Sequence, residues 1–236
     1  MKEDLVSQVK QELSKNAETT TQNSNQRFFK EPIQNYGVKA SIVHKIAKSH
    51  LKELREKTKE EAFNLCEELW ESGQIEETLV ACDWSYALRK SYVPGDFRTF
   101  NNWLALYVNN WASCDTFCNH TMGAFIMMYP KFITELKEFT LSNNRWLRRA
   151  AAVSLIVPVR KGAFLPDVLE ISDKLIYDQD DLVQKGYGWL LKVASKNHQE
   201  VVFNYIMDNK TRMPRTAFRY AIEKMPTELK ELAMRK

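Results

Sequence analysis

Glycine and proline are scarce in this sequence, at seven each among 236 residues. A strand-rich fold would need many more tight turns than these residues can punctuate, so sandwiches and barrels are set aside. Cysteine is also rare. Cys66, Cys82, Cys114 and Cys118 form no CxxC pair, and no apolar leader opens the chain. Reduced thiols in a cytoplasmic protein are therefore expected. Cys114 and Cys118 stand four apart with His120 nearby. They suggest half of a zinc site, but no second ligand pair lies at usable spacing, so neither a metal nor a cofactor is expected. Long hydrophobic runs are missing too. The stretch from Met122 to Tyr129 ends at Pro130, far short of the roughly 20 apolar residues that span a bilayer, so no membrane partner is expected.

What is present is helix-forming sequence, with 44% hydrophobic residues, enough to bury a sizeable core. Apolar positions recur at three- and four-residue spacing, as in Ile42, Ile46 and Leu51, or Phe63, Cys66 and Leu69. The first helix is expected from Lys2 to Leu13, and the polar run from Ser14 to Gln26 reads as a connector. Later breaks fall at Ser72-Gly73, Pro94-Gly95, Pro130, Ser142-Asn143, Val157-Pro158, Lys161-Gly162, Asn197-His198, Pro214 and Pro226. They delimit about a dozen helices of ordinary length. Residues 1–26 are read as an N-terminal helix and connector, and 27–236 as one helical repeat domain. Helix pairs of this kind stack into an all-α, HEAT-like solenoid whose second helices line a concave face. A non-repeating bundle has the same periodicity.

Charge is unevenly placed. From Asn143 onward there are 17 Lys and Arg against 11 Asp and Glu, whereas the first 142 residues carry two more acids than bases. The basic half points to a polyanion as partner.

Three constellations stand out. In Asn109-Asn110-Trp111-Ala112-Ser113-Cys114-Asp115, the ring of Trp111 and the carboxylate of Asp115 share a helical face, a pairing suited to a cationic ligand. The alternative makes Trp111 a core residue and Asp115 the N-cap of a helix from Thr116 to Tyr129. In Asn144-Arg145-Trp146-Leu147-Arg148-Arg149, three arginines at a helix N-terminus oppose the helix dipole unless an anion sits there. In Lys185-Gly186-Tyr187-Gly188-Trp189, two glycines inside a helix point to close approach, by a ligand or by a neighbouring helix. Lys192, Lys196, Arg212, Arg215 and Arg219 would extend a basic stripe, or form a solvated face.

Taken in order, Trp111xxxAsp115, Trp146-Leu147-Arg148-Arg149 and Gly188-Trp189 resemble the DNA alkylation repair glycosylases of the HEAT-like AlkD family. Arg27-Phe28-Phe29-Lys30 and Tyr36-Gly37-Val38-Lys39 are similar to that family's N-terminal signature. The resemblance begins near residue 25. Ala112, Ser113 and Cys114 stand where members more often carry bulkier apolar and acidic residues.

The resemblance implies excision of positively charged N-alkylated purines, 3-methyladenine and 7-methylguanine, from duplex DNA by a monomer without a cofactor. Alkylation makes the base a good leaving group, so Asp115 would stabilise the oxocarbenium-like sugar and position water. Trp111 and Trp189 would pack on the deoxyribose and backbone, and Arg149, or its neighbour Arg148, would hold a phosphate. Tyr36, Lys39, Lys192 and Arg215 are further DNA-binding candidates. Two other readings stay open: a non-catalytic module that binds DNA structures, and a scaffold that binds another protein.

Overall fold

The computed structural model describes residues 4–235, and those residues are helical apart from short joints, a longer extended strap over residues 27–38, and one isolated bridge between Gln34 and Gln74. They fall into two compact units, one ending at Phe117 and the other beginning at Cys118.

The first unit contains α1 (Leu5–Lys15), α2 (Thr19–Gln26), α3 (Ala40–Ser49), α4 (Leu51–Arg55), α5 (Lys59–Glu71), α6 (Ile75–Ala87), α7 (Asp96–Leu106) and α8 (Trp111–Phe117). Asp4 caps α1 by accepting the Val6 and Ser7 amides. The expected start at Lys2 lies outside the described residues. α1 then buries Leu5, Val6, Val9 and Leu13, the i, i+3/i+4 stripe of an amphipathic helix.

The polar run expected to be a connector folds in its second half as α2. It buries no residue, so side-chain hydrogen bonds replace apolar burial. Gln22 donates to the Asn35 carbonyl, and Gln26 donates to the Glu31 carbonyl while accepting the Ile33 amide. These bonds tie α2 to the extended strap of residues 27–38. Gly37 makes the contact close: its φ is +84°, and a Cβ there would lie 2.4 Å from the Glu18 carbonyl oxygen, a position only glycine accepts without strain.

The core of this unit is aromatic. Phe117, the last residue of α8, meets Trp70, Phe100 and Trp103 edge-on at 5.7, 5.8 and 5.9 Å between ring centroids. Fully burying one such side chain contributes roughly 1.5–3 kcal/mol, and the edge-on geometry adds to it. α8 is thereby fixed at its C-terminal end.

The second unit opens with a π-helical turn, Cys118–Met122. It continues with α9 (Gly123–Met128), α10 (Ile133–Phe139), α11 (Arg145–Val153), α12 (Ile156–Arg160), α13 (Leu165–Leu175), α14 (Asp181–Ala194), α15 (Gln199–Asp208), α16 (Arg215–Ile222) and α17 (Thr227–Met234). Along the chain, α7/α8, α10/α11, α13/α14 and α15/α16 are helix pairs whose second members begin at Trp111, Arg145, Asp181 and Arg215. Those starts are 34, 36 and 34 residues apart, a steady period that the sequence showed only faintly. The break expected at Val157-Pro158 sits earlier, at Ser154-Leu155, and Pro158 lies inside α12. As the third residue of that helix, Pro158 lies in the first turn, where its missing N–H costs no intrahelical bond.

Candidate functional site

The candidate residues fall into one cluster in each unit. In the first, Asn110 starts α8: its Oδ1 accepts the Ser113 amide at 2.9 Å and its Nδ2 donates to Ser113 Oγ at 3.0 Å. Ser113 Oγ lies 2.8 Å from Thr78 Oγ1, which donates its own proton to the Ile75 carbonyl. Ser113 therefore donates to Thr78, and the three side chains form a buried, satisfied network joining α8 to the first turn of α6. The Ser113 hydroxyl is what makes this join.

Trp111 follows directly. Its indole N–H donates to the Phe28 carbonyl at 3.2 Å, and its ring stacks on Phe29 at 5.1 Å with planes 20° apart. One ring face is thus covered from within by the strap, an offset arrangement that aromatic pairs favour. Asp115 is half-buried, one turn on from Trp111 and on the same side of α8. It sits within the helix, so the capping role considered for it belongs to Asn110.

The strap that backs Trp111 is pinned by Glu76, which sequence reasoning passed over. Its buried carboxylate accepts the amides of Tyr36, Gly37 and Val38 at 3.0, 2.9 and 3.0 Å. Glu77 beside it accepts the Tyr36 hydroxyl at 2.6 Å. Burial, then the Glu77 bond, hold the Tyr36 phenol protonated well above its ordinary range. The signal available in the sequence was two acids in the first turn of a helix. Tyr36 is accordingly a structural tie. Lys39 is exposed, in a loose 3.5 Å ion pair with Glu18.

In the second unit Asn144 caps α11 by accepting the Trp146 amide. The dipole conflict expected from three arginines is resolved by the protein's own carboxylates. Arg145 bonds Asp180 through Nε at 2.7 Å and Nη2 at 2.6 Å. Arg148 bonds Asp178 through Nε at 2.6 Å, and its Nη1 donates to the Ser142 and Asn143 carbonyls. Asp180 also caps α14. Arg149, preferred on sequence grounds as the phosphate holder, is 5% exposed and donates to the Leu182 carbonyl. Arg148 retains more exposure, with 19% of its side chain accessible.

The two glycines of α14 have separate reasons. A Cβ on Gly188 would lie 2.7 Å from the Ala217 carbonyl oxygen and 2.7 Å from Tyr220 Cβ, so α16 packs directly on it. A Cβ on Gly186 would meet Arg149 Cγ at 3.4 Å, so this glycine makes room for the arginine. Trp189 is half-buried on the same helix. Lys192 is committed to Glu223 at 2.9 Å and lies 5.3 Å from the Tyr220 ring centroid. That bond, foremost, holds the Glu223 carboxyl below its usual range. Arg215 and Arg219, one turn apart on α16, are exposed and have no side-chain partner among the described residues.

All four cysteines are buried free thiols, and among the described residues no group of three or more His, Cys, Asp or Glu is placed to hold a metal. No helix among them is long and apolar enough to cross a membrane.

The model of one protein family, described as DNA alkylation repair enzyme, matches residues 9–225. The chain belongs to the DNA alkylation repair enzyme family. Among solved structures, this family member is similar to one titled a predicted DNA alkylation repair enzyme from Enterococcus faecalis. The TM-score is 0.80 at 17% identity, over 90% of this chain and 98% of that one. At that identity the likeness speaks for the fold. The sequence matches no curated protein. Membership gives this alkylation repair protein a role in DNA repair and makes DNA its partner.

Proposed function

We propose that this alkylation repair enzyme is a DNA glycosylase that hydrolyses the N-glycosidic bond of cationic alkylated purines, 3-methyladenine and 7-methylguanine, in duplex DNA. The observation that carries the reading is the construction of α8. A half-buried carboxylate and a tryptophan share one face of a short helix whose N-terminus, indole N–H and last residue are each fixed by a named contact. Such preorganisation matters because electrostatic stabilisation is effective when no reorganisation accompanies the reaction.

The chemistry then follows. Alkylation places positive charge on the purine, and as the C1′–N bond breaks, that electron pair neutralises the base while positive charge moves to the sugar. Asp115 offers its carboxylate to this oxocarbenium-like centre and orients the water that attacks C1′. The exposed part of Trp111 offers a π face to the same charge, and Phe29 keeps that ring from turning away. No general acid is required for a leaving group already charged.

In the second unit Trp189 packs on the backbone, and the phosphate contacts come from Arg148, Arg215 and Arg219. Arg148 is preferred over Arg149 here because its side chain is partly open to solvent, whereas Arg149 is buried. Asp178 holds it in one orientation, so a phosphate meets an arginine already aimed. Lys39 adds a weaker contact. The protein acts as a monomer in the cytoplasm.

The reading is tested by incubating the full chain with methylated duplex DNA and measuring free 7-methylguanine, with the salt dependence of binding measured on the same duplex. Base release together with affinity that falls steeply as salt rises supports the glycosylase. Salt-sensitive binding without release replaces it with a DNA-binding module, and the absence of both replaces it with a protein-binding scaffold.

A further inference from the structure

The first unit carries a cleft of about 520 Å³ that the glycosylase reading does not use. It is lined by Arg55, at the end of α4, and by Ala87, Leu88, Arg89, Lys90 and Ser91, where α6 ends. It is open to solvent along much of its length. Three cations and no carboxylate face it.

One of the three has a structural reason to be there. Arg89 donates to the Tyr86 carbonyl at 3.1 Å and its guanidinium carbon lies 4.3 Å from the Tyr86 ring centroid, so it caps α6 and neutralises the negative end of the helix dipole. Arg55 and Lys90 have no such tie. Among the described residues neither side chain has a hydrogen-bond or ion-pair partner, and the two line one cleft together with Arg89. The Ser91 hydroxyl is spent on the Leu88 carbonyl, which leaves the cations as the recognising groups. Like charges gathered on a cleft with no internal counter-charge repel one another, and an anion relieves that repulsion. A guanidinium fork with an ammonium beside it matches the oxygens of a phosphate.

We infer that this cleft binds a phosphate group, between Arg55 and Lys90 with Arg89 alongside. The phosphate belongs either to a small molecule such as a nucleotide or to the DNA backbone. The inference does not depend on base excision, and neither arm of its test reads that activity.

The first arm titrates the full chain with inorganic phosphate against chloride at matched ionic strength, following the backbone amides of Ala87 to Ser91 by NMR. Saturable shifts are expected, with affinity lowered at least about tenfold in the Arg55→Gln/Lys90→Gln double variant. Both side chains are exposed, so the variant should fold, which the remainder of its spectrum checks. The second arm compares the salt dependence of DNA binding in the two proteins. If the phosphate comes from DNA, the slope of log K against log salt falls by about 2 in the variant. If it comes from a small molecule, the slope is unchanged while the phosphate shifts are lost. Shifts that survive in the variant, or no shifts together with an unchanged slope, overturn the inference.

Discussion

The corner around Asp115 and the corner around Trp189 hold their candidate side chains by different forces. The first relies on neutral hydrogen bonds and aromatic contact around α8, where Asn110, Ser113 and Thr78 fix its start and Phe29 and the Phe28 carbonyl fix Trp111, with the strap behind them pinned by the Glu76 carboxylate. The second relies on ion pairs between successive helix pairs, Arg145 with Asp180 and Arg148 with Asp178, and on glycines that let helices touch. Neutral contacts are insensitive to ionic strength, whereas partly exposed ion pairs weaken as salt rises. A carboxylate placed for chemistry suits the first construction. An arginine held in place by Asp178 while it meets a phosphate, as proposed for Arg148, suits the second.

The comparison can be broken most severely at Glu76. Glu76→Ala orphans three amides of the strap, two of them buried, and a stability loss above about 3 kcal/mol is expected by chemical denaturation, together with weaker burial of Trp111 by fluorescence. Next is Arg148→Ala, which strands the buried Asp178 carboxylate. A loss of about 3 kcal/mol is expected, the low end for a buried pair because Arg148 is 19% exposed. The double variant with Asp178→Ala should recover part of it, and no recovery would show that the pair is not what holds the loops.

The glycines sharpen the contrast within one helix. Gly188→Ala forces α14 off α16 and should cost about 1–3 kcal/mol. Gly186→Ala, which meets only the side chains of Arg149 and Val153, should be near neutral, because gained helix propensity of up to about 1 kcal/mol offsets a small shift of the arginine.

A smaller loss than at Glu76 or Arg148 is expected at Tyr36→Phe, about 1–2 kcal/mol from the bond to Glu77. It carries a pH signature. The folded-state phenol titrates above the unfolded one, so its contribution is complete below about pH 10 and lost as pH rises past that value. Between about pH 10 and 12 the natural chain should therefore lose more stability than the variant does.

Much of this was legible in the sequence. Helix-forming composition and period gave the fold class, and Trp111xxxAsp115 pointed to one face of one helix because i, i+4 geometry is local. What was not legible depended on partners distant in sequence. The polar segment 19–26 offers no apolar stripe, and it is helical because Gln22 and Gln26 bond to residues between seven and thirteen positions away. The arginines of α11 read as a demand for an external anion, since Asp178 and Asp180 lie some 30 to 35 residues downstream. Gly186 and Gly188 looked alike, yet one faces an arginine and the other a helix backbone. Glu76 was invisible as a site residue because a carboxylate in a first turn is common, and only its three long-range amide partners distinguish it.

The most direct test of the account is the single-turnover rate of base release from a duplex bearing one 7-methylguanine, compared between the natural chain and Asp115→Asn, with DNA affinity measured in parallel. The account predicts a rate reduced by about a hundredfold or more, the scale of losing one preorganised electrostatic group, with affinity unchanged because the phosphate contacts lie elsewhere. A variant that releases the base as fast as the natural chain would contradict it.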